Sequence, residues 1–196
     1  MKTLLLVFFS LLIAGPVWSN DYHGSCGITF QGSSTLHDFS GTVPCQPFTL
    51  AVPASGEVQA GKVSVAVAQM NTDNSARDKK LRGMFDHQKF PLIIGDYAGF
   101  NFEDTVRKAI ASAPDQNSFD FNLRIRDIER PVHAALRHLK KEPQGLSFTL
   151  QFDLSLADFQ LRPPSVLGLI RVADTVTVLV DVTLQEPPTP SGATAQ

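Results

Sequence analysis

Cysteine, tryptophan and tyrosine are scarce in this chain of 196 residues, which has two, one and two of them respectively. Its aromatic content comes mainly from fourteen phenylalanines, which have no polar group to direct a hydrogen bond. Sites for sugars or nucleotides usually combine Trp or Tyr with convergent polar groups. The composition therefore argues against such a site. On the residues alone, an ordinary filled core explains this composition more simply than an apolar tunnel for a ligand, although both stay open.

The chain is also poor in charge, with 18% charged residues and no run of five like charges. Its formal net charge of −2 becomes about −3 if an N-terminal segment containing Lys2 is removed. Weak acidity without a basic block argues against nucleic acid, or an anionic membrane surface, as an electrostatically driven partner.

Motifs for catalysis, cofactors and metals are missing as well. Ser34, His37 and Asp38 include the residue types of a hydrolase triad, but neighbours on one strand point to opposite faces. The chain has no Gly-x-Ser-x-Gly elbow and no glycine loop that could cradle a phosphate. Its five histidines have no metal-ligand spacing. We therefore expect no enzyme, no cofactor and no metal site.

The N-terminus has the pattern of a secretory signal peptide. One lysine precedes an apolar run over residues 3–14, and small residues suited to cleavage follow at Val17 and Ser19. We predict cleavage after Ser19, a mature domain over 20–185 and a disordered tail over 186–196, which is rich in Pro, Thr, Ser and Gly. The apolar run is too short to be a permanent membrane span. Export to an oxidising compartment favours a disulfide between Cys26 and Cys45. The alternative is that the two cysteines form a redox-active or metal-binding pair.

Alternation of apolar and polar residues dominates the mature chain and predicts about eight to ten short strands. The longest strict alternation runs from Leu146 to Leu156, and another runs from Val176 to Leu184. Short connections predict a single antiparallel sheet, although strand counting does not distinguish a barrel from a sandwich.

The polar run over 70–91 interrupts this pattern. Leu81, Met84 and Phe85 recur at helical spacing and predict one short amphipathic helix over about residues 76–86. Ser75, with Asp78 three positions on, fits an N-cap, and Lys80 falls mostly off the apolar face. This helix would either plug one end of a β-structure for stability alone or gate a cavity.

The same run resembles a family signature. Asn71-Thr72, Arg77-Asp78, Leu81-Arg82, Met84-Phe85-Asp86 and Lys89-Phe90-Pro91 are similar to the signature of the YceI-like family of polyisoprenoid-binding proteins. The runs over 34–41 and 164–174 resemble its opening and closing segments, so the resemblance covers about residues 26–184.

The resemblance implies a mainly β fold, a lipocalin-like antiparallel barrel of about eight strands with the helix near one mouth. It also implies a periplasmic carrier, without enzymatic activity, for an isoprenoid or similar lipid such as a quinone. A ligand-free structural or stress-related barrel is the alternative, and an enzyme acting on a lipid or quinone is disfavoured. The sequence leaves the oligomeric state open, a homodimer included.

Inward aromatic and aliphatic side chains would hold the ligand tail. The residues we expect at that lining are Phe30, Phe39, Phe85, Phe121, Phe148, Leu150, Phe152 and Val178. Arg77 is expected either to bridge to a neighbouring loop or to contact a ligand head group. Which alternating face points inward is itself open at this stage.

Overall fold

The computed structural model of the chain describes residues 19–112, 117–163 and 172–187. Its strands are β1 (Ser19–Ser34), β2 (Phe39–Pro44), β3 (Phe48–Pro53), β4 (Glu57–Val58), β5 (Gly61–Ala66), β6 (Leu92–Tyr97), β7 (Phe100–Asn101), β8 (Ser118–Ile125), β9 (Ile128–Glu142), β10 (Gly145–Ser155) and β11 (Val172–Gln185). Its helices are α1 (Ser75–Met84), α2 (Phe102–Ala111) and two 3₁₀ turns, Val67–Gln69 and Ala157–Phe159.

Eight strands form one curled antiparallel sheet in the order β2-β1-β11-β10-β9-β8-β6-β5, and β3 extends it by pairing with the first part of β1. The mainly β, antiparallel, barrel-like fold predicted from the sequence is thereby confirmed. The sheet is a half-barrel, because among the described residues its two edges meet only through isolated bridges. We call these bridges, Thr42 with Asn71 and Cys45 with Val65, the seam.

Two faces of unlike polarity explain why the sheet curls. Along β11, the inward residues Val176, Val178 and Val182 are buried among apolar neighbours. Outward residues are satisfied by pairs across strands. The Thr149 hydroxyl donates to Asp181 at 2.7 Å, for example. Burying the apolar face while the polar face stays hydrogen-bonded is what the period-2 pattern requires.

Helix α1 begins one residue earlier than its predicted cap implies. The Asn74 side chain, not that of Ser75, accepts a hydrogen bond from the Arg77 N–H at 3.0 Å. The helix ends at Met84, and Asp86 follows with a φ of +50°, a left-handed value that an α-helix does not tolerate. Our assignment of Ser75 as the cap is therefore wrong, because Asn74 is the residue with extended backbone angles.

A second helix, α2, occupies a run that was assigned to neither helix nor strand from the sequence. Asn101 caps it by accepting from the Asp104 N–H at 2.9 Å, and Phe102 packs against Tyr22 with ring centroids 5.2 Å apart. The described part of the chain thus has two α-helices where we expected one. They lie at opposite ends of the hairpin formed by β5 and β6, because α1 follows β5 while α2 follows β6 and β7.

Several predictions fall outside the described residues. The predicted signal peptide lies outside them except for Ser19. Most of the predicted disordered tail and most of the run over 164–174 also lie outside them. Among the residues that are described, no helix is long and apolar enough to cross a bilayer.

Candidate functional site

A cavity of about 530 Å³ lies inside the curled sheet and beneath α1. It is bordered by side chains from both halves of the sheet, including Ile28 of β1, Ile93 of β6 and Leu123 of β8. Its walls are overwhelmingly apolar. No carboxylate is found among its lining residues in the described part of the chain.

Seven of the eight residues expected at the lining border this cavity. They are Phe30, Phe39, Phe85, Phe121, Leu150, Phe152 and Val178. The face carrying the large residues therefore points inward. Two of these rings meet edge to face, Phe121 and Phe152, with centroids 5.6 Å apart. Contact of these residues with a ligand stays a prediction.

Phe148 is the exception. It pairs with Val182 and packs, half-buried, against the core, but it does not border the cavity. The ladder between β9 and β10 shifts register at this point, so that His138 and Leu139 face Phe148 alone. His138 has a φ of +54°, the left-handed geometry found in many β-bulges. The extra residue lies in β9, and the pairing of β10 with β11 is unbroken, so Phe148 keeps the strand parity of Leu150 but packs against the core without reaching the cavity.

Other lining residues were not named from the sequence, although the signal for several was present. Val176, Val180 and Val182 share the strand parity of Val178, and all three border the cavity. Leu154 likewise shares the parity of Phe152. Lys80 carried no such signal, because the apolar stripe of the helix placed it mostly off the inner face, yet it lies at the cavity.

The cavity opens beside the start of α1. Its exposed lining residues are His37, Asn74, Ala76 and Lys80, which belong to the β1–β2 connection and to the N-terminal end of α1. We call these four residues the mouth. Towards the other end of the β5–β6 hairpin the lining includes Tyr97, and burial raises the pKa of its phenol.

Helix α1 is fastened over the cavity by a network centred on Thr72. The backbone N–H and the hydroxyl of Thr72 donate to Asp78 Oδ1 at 2.9 and 2.6 Å. Arg77 Nε donates to Thr72 Oγ1 at 2.9 Å, and Arg77 Nη2 donates to the Thr72 carbonyl at 2.8 Å. The Asp78 carboxylate thus turns back to the strand-like segment before α1 and is not the acidic partner of a Ser75 cap.

This network favours the ionised form of Asp78, a residue that is 8% exposed. The Thr72 hydroxyl bond, helped by the Thr72 N–H and by the nearby Arg82 and Arg77, holds the pKa of that carboxyl below its usual range, although burial opposes the shift. Arg77 is thereby tied to the network, and its guanidinium also lies 5.8 Å from the centre of the Phe39 ring at the cavity border.

Gly41 allows the close packing beneath this network. A Cβ at Gly41 would lie 2.2 Å from Phe30 Cζ and 2.8 Å from Thr72 Cγ2. Phe30 borders the cavity, and Thr72 holds α1 in place. The lack of a side chain at Gly41 therefore allows the cavity wall and the segment that holds the helix to pack closely.

The predicted disulfide is present between Cys26 and Cys45, with the Cα atoms 5.3 Å apart. Cys26 borders the cavity, and Cys45 is the seam residue that meets Val65. The bond therefore joins β1 to the place where the two edges of the sheet come together. No cluster of three or more metal-ligating side chains occurs among the described residues.

Solved structures with the same fold are distant in sequence. A polyisoprenoid-binding domain from Saccharophagus degradans has 11% identity and a TM-score of 0.59, over 85% of this chain and 98% of its own. BcnA of Burkholderia cenocepacia has 10% identity and a TM-score of 0.59, over 81% of this chain and 95% of its own. No protein of curated function matches the sequence significantly.

A family model gives the assignment at the level of sequence. The model of the YceI-like domain matches residues 20–184, which include every described strand except the first residue of β1 and the last of β11. The chain therefore belongs to the YceI-like domain family.

Proposed function

We propose that this chain is a periplasmic carrier that sequesters an isoprenoid or similar lipid, with quinones included, in the cavity beneath α1. The observation that carries the proposal is the cavity of about 530 Å³ with almost wholly apolar walls. Ligand pockets in proteins typically enclose about 300–1,000 Å³ and are lined mainly by apolar side chains. The similarity to the Saccharophagus degradans polyisoprenoid-binding domain supports the same class of ligand.

Burial of the tail supplies the binding energy in this proposal. Each buried CH₂ contributes about 0.8 kcal/mol, so ten would contribute about 8 kcal/mol before the entropic cost of association is subtracted. Phe, Val and Leu walls impose no hydrogen-bond geometry, and therefore chain length and shape would decide which tails fit.

The polar end of the ligand would lie at the mouth. Arg77 borders the cavity there, and its Nη1 atom has no hydrogen bond within the described residues. We propose that Arg77 contacts the head group while its other nitrogens hold α1. The lining has no set of side chains arranged for catalysis in the described part, so we expect the lipid to leave unchanged.

Mass spectrometry of the protein purified from the cells that make it tests the proposal. We expect native spectra with about one bound lipid, which an organic extract identifies as an isoprenoid or quinone. Incubation of that lipid with the protein should yield no product. A well-folded protein that carries no lipid would contradict the proposal and favour the ligand-free barrel.

Substitutions test the location of the ligand. Leu150→Asp places a charge on the cavity wall and should abolish lipid retention and lower stability. Val178→Phe fills the cavity without adding charge and should reduce retention in a protein that still folds. Gln151→Asp, one residue further along β10 and outside the lining, is the matched control. Normal retention in both cavity variants would place the lipid elsewhere.

A further inference from the structure

The charge at the cavity is of one sign. Among the lining residues of the described chain, the formally charged side chains are Arg77 and Lys80, both cationic, and neither an Asp nor a Glu accompanies them. Both lie on the cavity side of α1, three residues apart, at the end where the cavity opens. Like charges at this helical spacing repel each other unless an anion lies between them.

Arg77 is largely compensated by the protein itself. Two of its nitrogens donate to Thr72, and Thr72 donates in turn to the Asp78 carboxylate. This network would persist in the absence of any ligand. The positive charge of Arg77 alone therefore does not indicate what kind of head group the mouth accepts.

Lys80 has no such compensation. It forms no hydrogen bond or ion pair with any described residue, and no carboxylate lies three or four positions away on either side of it along the helix. The neighbouring Lys79 is also exposed, but it does not border the cavity. Lys80 is thus an uncompensated cation that the fold holds at the edge of an apolar chamber.

That position strengthens any interaction with an anion. A lysine can lay its methylene stem along apolar surface while its ammonium stays at the water boundary. The apolar walls lower the local dielectric constant, so a charge pair formed at this edge is stronger than one on an open surface. A bound tail would also exclude water from the inner side of the pair.

We infer that Lys80 makes this cavity selective for amphiphiles with an anionic head group, a phosphate or a carboxylate, over neutral amphiphiles with the same tail. The inference rests on the proposed function, since it assigns the head group of the lipid that the cavity would hold. Lys80 would be the residue that determines the preference, while Arg77 positions the helix and adds to the positive field.

Three probes with the same twenty-carbon tail test it: geranylgeraniol, geranylgeranyl phosphate and geranylgeranoic acid. Dissociation constants are measured for the wild-type protein, Lys80→Gln and the matched control Lys79→Gln. We expect the wild type and Lys79→Gln to bind the anionic probes about tenfold more tightly than the alcohol, as a charge-assisted hydrogen bond allows. Lys80→Gln should lose that preference with unchanged affinity for the alcohol.

The outcomes separate this inference from the proposed function. Equal affinity of the wild type for all three probes would overturn the anionic preference and leave the carrier function intact. If Lys80→Gln lost affinity equally for all three probes, the anionic preference would also be overturned, because that result indicates a structural role for Lys80. Failure of all three probes to bind would overturn the proposed function and this inference with it. A preference for only one anionic probe identifies phosphate or carboxylate as the head group.

Discussion

Asp78 is the one charged side chain that is buried in the described part of the chain. Its carboxylate receives two hydrogen bonds from Thr72, and these favour the ionised form. Since the folded-state pKa is lowered, the stabilisation is present above the unfolded pKa of about 3.9 and is lost as the pH falls through the folded value.

Two variants test this linkage. Asp78→Asn should destabilise the protein near neutral pH, and the difference from wild type should shrink as the pH is lowered from about 4. Thr72→Val removes the hydroxyl, so the pKa of Asp78 in the folded protein should rise towards its ordinary value. Urea unfolding at a series of pH values measures the first effect, and an NMR titration of the carboxyl measures the second.

Asp86→Asn is the control, because Asp86 is exposed at the end of α1 and its side chain has no hydrogen bond to a described residue. The stability difference between Asp78→Asn and wild type could instead stay constant from pH 7 to pH 3. That result would show that folding does not favour the ionised form of Asp78.

The residue-scale features that the sequence could not predict are those that depend on the path of the chain. Thr72 and Asp78 are six residues apart, and nothing in their spacing indicates that the segment before α1 turns back onto the helix. Asn74 and Ser75 are both good N-cap residues, so only the backbone angles at Asn74 decide between them. Lys80 lies near the boundary of an apolar stripe, where a small rotation of the helix determines whether it faces the cavity.

At the scale of the element, α1 depends on its cap. Asn74→Ala removes the acceptor for the Arg77 N–H and should cost about 1 kcal/mol, within a range of about 0.5–2 kcal/mol. For a protein of this size, 1 kcal/mol lowers the melting temperature by about 2–4 °C. Ser75→Ala should leave it nearly unchanged. Calorimetry measures both, and an equal loss in the two variants would argue against Asn74 as the cap.

Strands were the elements best predicted from the sequence, because alternation reports directly which side chains share a face. Phe148 shows the limit of this signal, because it keeps the parity of Leu150 and yet does not border the cavity, and parity does not tell how far along a strand a cavity extends. Helix α2 was not predicted, because Val106, Ala109 and Ile110 span only about one and a half turns of helix before Pro114. The contact between Phe102 and Tyr22 that helps to hold it joins distant parts of the chain.

At the scale of the whole molecule, alternation specifies an apolar face but not how that face is covered. A sandwich and a barrel bury it equally well, and only the resemblance to the YceI-like family favoured the barrel. The structure curls the sheet until β2 and β5 meet at the seam, and Pro44 and Pro47 flank the Cys45 bridge on the β2 side. Proline cannot donate to a ladder, which fits an edge that closes through isolated bridges.

The disulfide therefore supports the seam, and its loss tests the closure of the whole fold. The Cys45 N–H donates to the Cys26 carbonyl at 2.9 Å, and the Gln46 N–H donates to the Ser64 carbonyl at 2.8 Å, so the bond lies beside the hydrogen bonds that join the edges. Replacing both cysteines by alanine should cost about 3 kcal/mol in a chain-entropy model of this loop.

That cost should lower the melting temperature by about 6–12 °C in differential scanning calorimetry under oxidising conditions. Reductant should bring the wild type down to the melting temperature of the double variant and leave the double variant unchanged. If the seam also retains the ligand, reduced wild type should lose bound lipid faster than oxidised protein at a temperature where both stay folded. A double variant that melts like oxidised wild type would show that the bridges hold the sheet closed without the disulfide.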